Sequence, residues 1–324
     1  MIAPRYNRLL ILAALITLVF QSGCRSLQLN SPREILSPSN NRDWDPQQSK
    51  LPFAEASVTN NDNIVHLHNI RNCRYLTEQD YLVEYYNRSF NLNDVQSVDF
   101  VVVPFDTAPA LAHTMFSFGL KDGTQLAVSV ETRKERGERY NAALGFFRQY
   151  ELAYIVGDER DLIQLRSNHR KSDVYVYPTV ASPEQSQQLL AGVLDRINEL
   201  AHRPEFYHSI SNNCTTNLVE HVNEISPNKI PYGWKVLLPG FSAKYAYELG
   251  LLDNSIPLED LTTVAYVTPL AQEHARAKDF SAKIRGRFSR LAQLRDRELA
   301  RQSLMQGSGD QFLVERLGQN ALRR

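Results

Sequence analysis

Cysteine is scarce. Three in 324 residues, none at zinc-ligand spacing, exclude a disulfide framework and a thiolate zinc site. Net charge is also missing: 36 Lys and Arg balance 36 Asp and Glu, so no global polyanion-binding surface is indicated. Glycine (14) and proline (15) are too few for a collagen-like or low-complexity chain. There is no Gly-x-Gly-x-x-Gly, Walker loop, His-Glu-x-x-His or Gly-x-Ser-x-Gly, and so no signature of a dinucleotide enzyme, NTPase, zincin or α/β-hydrolase. What is present is globular: 43% apolar and 10% aromatic residues, with enough length for one large domain or two modest ones.

The N-terminus reads as an address. Arg5 and Arg8 precede the apolar run Leu9 to Phe20, shorter than the roughly 20 residues a spanning helix needs and suited to a secretory signal. Gln21-Ser22-Gly23-Cys24 follows and resembles a bacterial lipobox, although Gln21 replaces the usual aliphatic residue. Residues 1–23 are therefore expected to be a signal peptide and Cys24 the lipidated N-terminus. Arg25, rather than Asp, then points to the outer membrane of a Gram-negative envelope, facing the periplasm. Residues 24–62, rich in Ser, Pro, Asn and Gln, read as a flexible tether. The two remaining thiols, Cys73 and Cys214, are expected to stay unbridged.

A catalytic domain over residues 63–270 is expected to be α+β. Ile64 to His68 alternates as a strand, and Val98 to Pro104 is a β-branched run suited to a buried one. His113 to Leu120 and Gln125 to Thr132 flank Lys121-Asp122-Gly123-Thr124, a hairpin signal. Glu151 to Val156 and Val174 to Val180 predict further strands, and Leu189, Leu190, Val193, Leu194 and Ile197 predict an amphipathic helix over Glu184 to Ala201. A second helix begins near Cys214, with Ser211, Asn212 or Asn213 as its cap. In the tail, residues 271–324, Phe280, Ile284, Phe288 and Leu291 recur at helical spacing among Lys283, Arg285, Arg287 and Arg290. Such a basic amphipathic helix either packs on the domain or lies in a membrane interface.

Cys214 stands out chemically. A helix N-terminus presents unpaired N–H groups that favour a thiolate and could hold an oxyanion in acyl transfer. A thiol nucleophile needs an imidazole to take and return its proton, and His113, opening a hairpin strand, is the best placed of eight histidines. The bland alternatives are an inert buried thiol and a core histidine. His66 and His68 share one strand face, but two histidines are a weak metal signal, and no metal or organic cofactor is expected.

Several stretches then become familiar. Ala112-His113-Thr114-Met115-Phe116-Ser117-Phe118-Gly119, Ser129-Val130-Glu131-Thr132-Arg133-Lys134-Glu135 and Phe147-Arg148-Gln149-Tyr150-Glu151 form the first part of a pattern. Gly157-Asp158-Glu159-Arg160-Asp161, Arg203-Pro204-Glu205-Phe206-Tyr207, Asn212-Asn213-Cys214-Thr215-Thr216-Asn217 and Leu238-Pro239-Gly240 continue it. From about His68 to Asp253 the chain resembles the periplasmic domain of Lnb, a bacterial lipoprotein N-acyltransferase family. The resemblance implies a Cys214–His113 pair that moves an acyl chain from phospholipid to an amine such as a lipoprotein N-terminus. Such enzymes can carry spanning helices after this domain, and nothing past Asp253 is apolar enough to be one.

Histidine strand before cysteine helix also resembles the circularly permuted papain-like (NlpC-like) superfamily, where a third residue orients the imidazole. Glu131 is the candidate, with Ser117 and Ser129 as alternatives because the hairpin register is open. Asn213, Arg133 and Arg148 are candidates for contacting substrate, with ion pairing as the plainer role for the arginines, and His221 is a neighbour of the site or a structural residue. The rival readings are an NlpC-like peptidase or amidase acting on cell-wall peptides, and a non-catalytic lipid- or protein-binding module. The expected partners are phospholipid, an amine acceptor and the membrane, not nucleic acid.

Overall fold

A computed structural model describes residues 37–57, 63–141 and 144–301. The signal peptide, Cys24, the first part of the tether and the tail beyond residue 301 lie outside the described residues.

The described residues form ten strands: β1 (Phe53–Ser57), β2 (Ile64–Arg71), β3 (Arg74–Tyr75), β4 (Tyr81–Leu82), β5 (Tyr85–Asn91), β6 (Val95–Phe105), β7 (Ala108–Leu120), β8 (Gln125–Arg133), β9 (Glu151–Asp158) and β10 (Tyr175–Pro178). The main sheet runs β1-β2-β9-β8-β7-β6-β10, with β5 also on β2, and β3 and β4 pair separately. Its pairings are antiparallel except β2 with β9. The β7–β8 hairpin forms where the Asp-Gly signal places it, with Gly123 at φ 83° in the turn.

Among the described residues the sheet is surrounded by helices α1 (Glu159–Gln164), α2 (Pro183–His202), α3 (Cys214–Ile225), α4 (Trp234–Leu237), α5 (Ser242–Glu248), α6 (Leu258–Ala265), α7 (Thr268–Glu273) and α8 (Phe280–Ile284). Strand alternation sends Phe116, Leu126, Val128 and Tyr154 to one face, where they pack with α2 and α3. Val101, Met115, Ala127 and Ile155 point to the other face, onto α1, α7 and α8. The α+β expectation holds at this level. Burying one large apolar side chain contributes about 1.5–3 kcal/mol, so both faces stabilise the sheet.

Two segments differ from their sequence reading. Part of the supposed tether is folded. Trp44 is buried against the Arg133 guanidinium, 4.0 Å from ring centroid, and β1 adds an edge strand to β2. Gln48 donates to the Thr132 carbonyl (2.9 Å) and accepts from the Lys134 amide (2.8 Å). The segment's polar composition masked these few well-placed contacts. The tail's predicted amphipathic helix is interrupted: α8 spans only five residues, turns follow, and residues 290–301 are helical again. Phe280 and Ile284 are buried on the second face, with Phe288 against them. The apolar stripe is already occupied by the domain.

Gly240 closes the fold where the turn Pro239–Phe241 meets β7. A Cβ there would sit 1.9 Å from the Pro109 carbonyl oxygen and 2.7 Å from the Ala110 carbonyl carbon. Both are backbone atoms, so the strain cannot relax through a rotamer. Gly240→Ala is expected to cost about 3 kcal/mol or more, at or above the usual overpacking range. Urea unfolding measures it, and a midpoint equal to the parent would refute the close approach.

Candidate functional site

Helix α3 starts where the sequence places it, and Asn213 is its cap. Asn213 Oδ1 accepts from the Thr216 amide (3.0 Å), and Thr216 Oγ1 accepts from the Asn213 amide (2.8 Å). The Asn213 side-chain amide donates to the Ser209 carbonyl (2.8 Å), so this buried residue shapes the helix start rather than offering a group to substrate. Cys214 follows in the first turn, 8% exposed and packed within the core shared with Tyr207 and Leu218. Its Sγ lies 3.8 Å from Thr215 Oγ1. Burial, then the nearby Cys214, push the Tyr207 and Tyr140 hydroxyls up.

Beside this turn lies an apolar cavity of about 260 Å³. The sheet residues Val98, Phe100 and Phe116 line it from below, with Thr215, Leu218, Val219 and Val222 of α3 and Val236, Tyr245 and Leu249 from the following segment. Ser242 also lines it, and its buried hydroxyl has no hydrogen-bond partner among the described residues.

His113 belongs to a different cluster. Its Nε2 lies 2.7 Å from Ser129 Oγ, and Ser129 Oγ donates to Glu131 Oε1 at 2.8 Å. Since the serine proton is committed to the carboxylate, Nε2 is the protonated nitrogen and donates to Ser129, leaving the Nδ1 lone pair open. Arg166 Nη2 holds Glu131 Oε1 at 2.9 Å, and Gln48 Nε2 reaches Glu131 Oε2 at 3.3 Å. Both candidate orienting residues, Ser129 and Glu131, therefore lie on one hydrogen-bonded chain that starts at His113. Ser117 is elsewhere, donating to Glu159 at 2.6 Å.

The structure does not bring Cys214 and His113 together. Thr114, the next residue after His113, touches Thr215 of α3 (Oγ1 to Oγ1, 3.2 Å), so His113 points to the opposite face. That face carries Ser129, Glu131 and Arg166, whereas Cys214 packs on the face of α2 and α3. Among the described residues no imidazole hydrogen-bonds the Cys214 sulphur. The fold brings both residues to one end of the sheet but on opposite sides.

The other candidates are also placed. Arg133 is 2% exposed and donates to the carbonyls of Gln48 (3.0 Å) and Ser49 (3.2 Å) and to Asn40 Oδ1 (3.1 Å), holding the N-terminal segment rather than a phosphate. Arg148 is exposed, at φ 56°. His221 is buried, with Nε2 2.9 Å from the Tyr154 hydroxyl, a structural role. Cys73 and Cys214 are both free, and burial together with Asp161 pushes the Cys73 thiol up to about 12. No group of three or more potential metal ligands occurs among the described residues. Arg166 and Gln48 escaped the sequence reading, because neither sits in a motif.

Burial, aided by the Arg166 and Arg170 cations, pushes the His113 imidazole down to about 3. Burial alone would raise the Glu131 carboxyl, but Arg166, Arg71 and His113 outweigh it and hold it below the usual carboxylate range. An unfolded chain protonates His113 near pH 6.5, whereas the folded one resists until about pH 3. The stability from this site is therefore complete above about pH 6.5 and is lost as pH falls towards 3. His113→Gln is expected to flatten the decline of Tm between pH 7 and about 4. Thermal melts across that range that stay parallel to the parent would show that His113 does not contribute.

A family model described as the Lnb N-terminal periplasmic domain matches residues 81–240. It covers β7, β8, α3 and the Pro239–Phe241 turn up to Gly240. No curated protein and no solved structure matches the chain significantly. Among the described residues no helix is long and apolar enough to cross a membrane.

Proposed function

The domain spanning residues 81–240 belongs to the Lnb N-terminal periplasmic family, and from that membership we propose a periplasm-facing acyltransferase with Cys214 as its nucleophile. One observation carries the reading: an apolar cavity lies against the helix whose first turn holds Cys214. Its apolar walls suit an acyl chain and would not suit a cell-wall peptide, which argues against the amidase reading. A buried hydroxyl without a partner costs about 1–3 kcal/mol, and an ester oxygen entering the cavity would satisfy Ser242.

In the proposed reaction the Cys214 sulphur attacks an ester carbonyl of a phospholipid. The C–S bond forms, the C–O bond breaks, and the lysophospholipid oxygen leaves with the thiol proton. An amine, such as a lipoprotein N-terminus, then attacks the thioester. C–N replaces C–S, and one amine proton returns to sulphur. The N–H groups at the start of α3 would face the developing oxyanion. The chemistry calls for neither metal nor organic cofactor. Lipidated Cys24 would anchor the chain, with the outer membrane as the proposed site. From the likeness to permuted papain-like enzymes the proposal takes the helix-borne cysteine, not the imidazole across the sheet.

The lack of an imidazole on the sulphur favours a second reading, a lipid-binding module with an unreactive Cys214. Intact mass spectrometry after incubation with phosphatidylethanolamine separates the two. An acyl increment that maps to Cys214 and disappears with hydroxylamine supports transfer, whereas lipid retained only noncovalently overturns it.

A further inference from the structure

The segments before and after α3 carry several exposed apolar side chains. Tyr232 is 58% and Trp234 61% exposed, and Phe146, Ile210 and Phe241 are exposed as well. They fall into two contacting groups, which the chain joins between Tyr232 and Trp234. The Phe146 ring packs edge-on to His208, whose Nδ1 accepts from the Ile210 amide. The Tyr232 hydroxyl donates to the Ile210 carbonyl, and the Trp234 and Phe241 rings meet edge-on at 6.1 Å. Clustered apolar exposure of this kind marks an interaction site.

We infer that this surface is a membrane-docking face that rests in the headgroup region of a phospholipid bilayer. Its composition fits that occupant: Trp and Tyr have amphipathic rings that settle at the membrane–water boundary. Lys235 stands over both the Trp234 and Tyr245 rings, at 6.0 and 4.6 Å, with its ammonium paired to Glu248, so the face carries no uncompensated charge from Lys235 and its aromatic rings are the groups that meet the bilayer. The face also leads inward. Lys235 and Tyr245, which border it, line the apolar cavity too, so a chain leaving the bilayer here would pass directly from lipid to cavity. The alternative contact surface, the apolar stripe of the tail, is already buried in the domain at Phe280 and Ile284. The choice of a bilayer rests on the acyl-transfer reading.

The chain has only two tryptophans, and the other, Trp44, is buried at 6% exposure. The full chain is placed on vesicles of phosphatidylethanolamine and phosphatidylglycerol with brominated acyl chains, and its fluorescence is compared with that of Trp234→Phe. The difference signal, which is Trp234 alone, is expected to shift to shorter wavelength and be quenched. The exposed double substitution Tyr232→Asp with Phe241→Asp is expected to abolish both effects at an unchanged melting temperature. An unshifted, unquenched Trp234 overturns the inference. A shift without bromine quenching also overturns it, because Trp234 is then covered by protein. The same measurement on Cys214→Ala is expected to match the parent, since docking does not need the thiol. Quenching without acyl transfer would leave the face intact and refute the enzyme, whereas transfer without quenching would do the reverse.

Discussion

Cys214→Ala is expected to abolish acyl transfer and leave the fold intact. The sulphur is the only atom lost, and its core neighbours Tyr207 and Leu218 hold the start of α3 in place without it. The cap depends on Asn213 and Thr216, not on residue 214. Removing one buried heavy atom costs about 1 kcal/mol, a small share of a domain's stability. Acylation of a lipoprotein in a complemented strain, together with a thermal melt of the purified variant, checks both halves. Transfer that survives in Cys214→Ala ends the thiol mechanism. His113→Gln is the informative companion. The imidazole lies across the sheet from the sulphur, so the rate of iodoacetamide reaction at Cys214 should follow pH identically with and without it. A displaced curve would mean that the two side chains meet in another conformation.

The contrast between these residues shows what a sequence can disclose. The β7–β8 hairpin was legible because Asp122-Gly123 fixes its turn and alternation fixes its strands. The start of α3 was legible because three capping residues precede Cys214. Both signals are local. Which face His113 adopts is not local: His113 and Thr114 are neighbours that point in opposite directions, and only the docking of α3 onto Thr114 through Thr215 decides which one faces the cysteine. Arg166, 35 residues beyond Glu131, likewise has no local signature. Its polar composition made the segment around Trp44 and Gln48 look like a tether, although these two side chains reach β8 and hold it there. The missed elements β1, β3, β4 and β5 are short or half-exposed, so their alternation is weak. The family pattern carried most of the functional reading, and it specified residue types at positions without the faces they occupy.

The largest stability loss is expected from Arg285→Met. Arg285 follows α8 and spans two buried carboxylates, donating to Asp99 Oδ2 at 2.9 and 2.7 Å and to Glu159 at 2.8 and 2.6 Å. Asp99 and Ser117 face each other across β6 and β7, so this one guanidinium ties the tail to the middle of the sheet. Burial works against its charge, yet the two carboxylates hold its proton more firmly than usual. Methionine keeps most of the volume and removes the charge, leaving Asp99 and Glu159 buried without their cation. Breaking a buried pair in this way costs about 3–5 kcal/mol. Lys283, two residues earlier, is the control. Its contact with Asp279 is exposed and 3.9 Å long, and such pairs contribute about 0–1 kcal/mol. Urea unfolding of both variants should therefore separate them widely. The deficit of Arg285→Met should also shrink as pH falls and the stranded carboxyls take up protons, the opposite of the acid sensitivity at His113. If the tail's cations instead served a membrane interface, the two substitutions would weaken vesicle binding alike and leave unfolding unchanged. Equal midpoints at neutral pH would show that Arg285 does not tie the tail to the sheet.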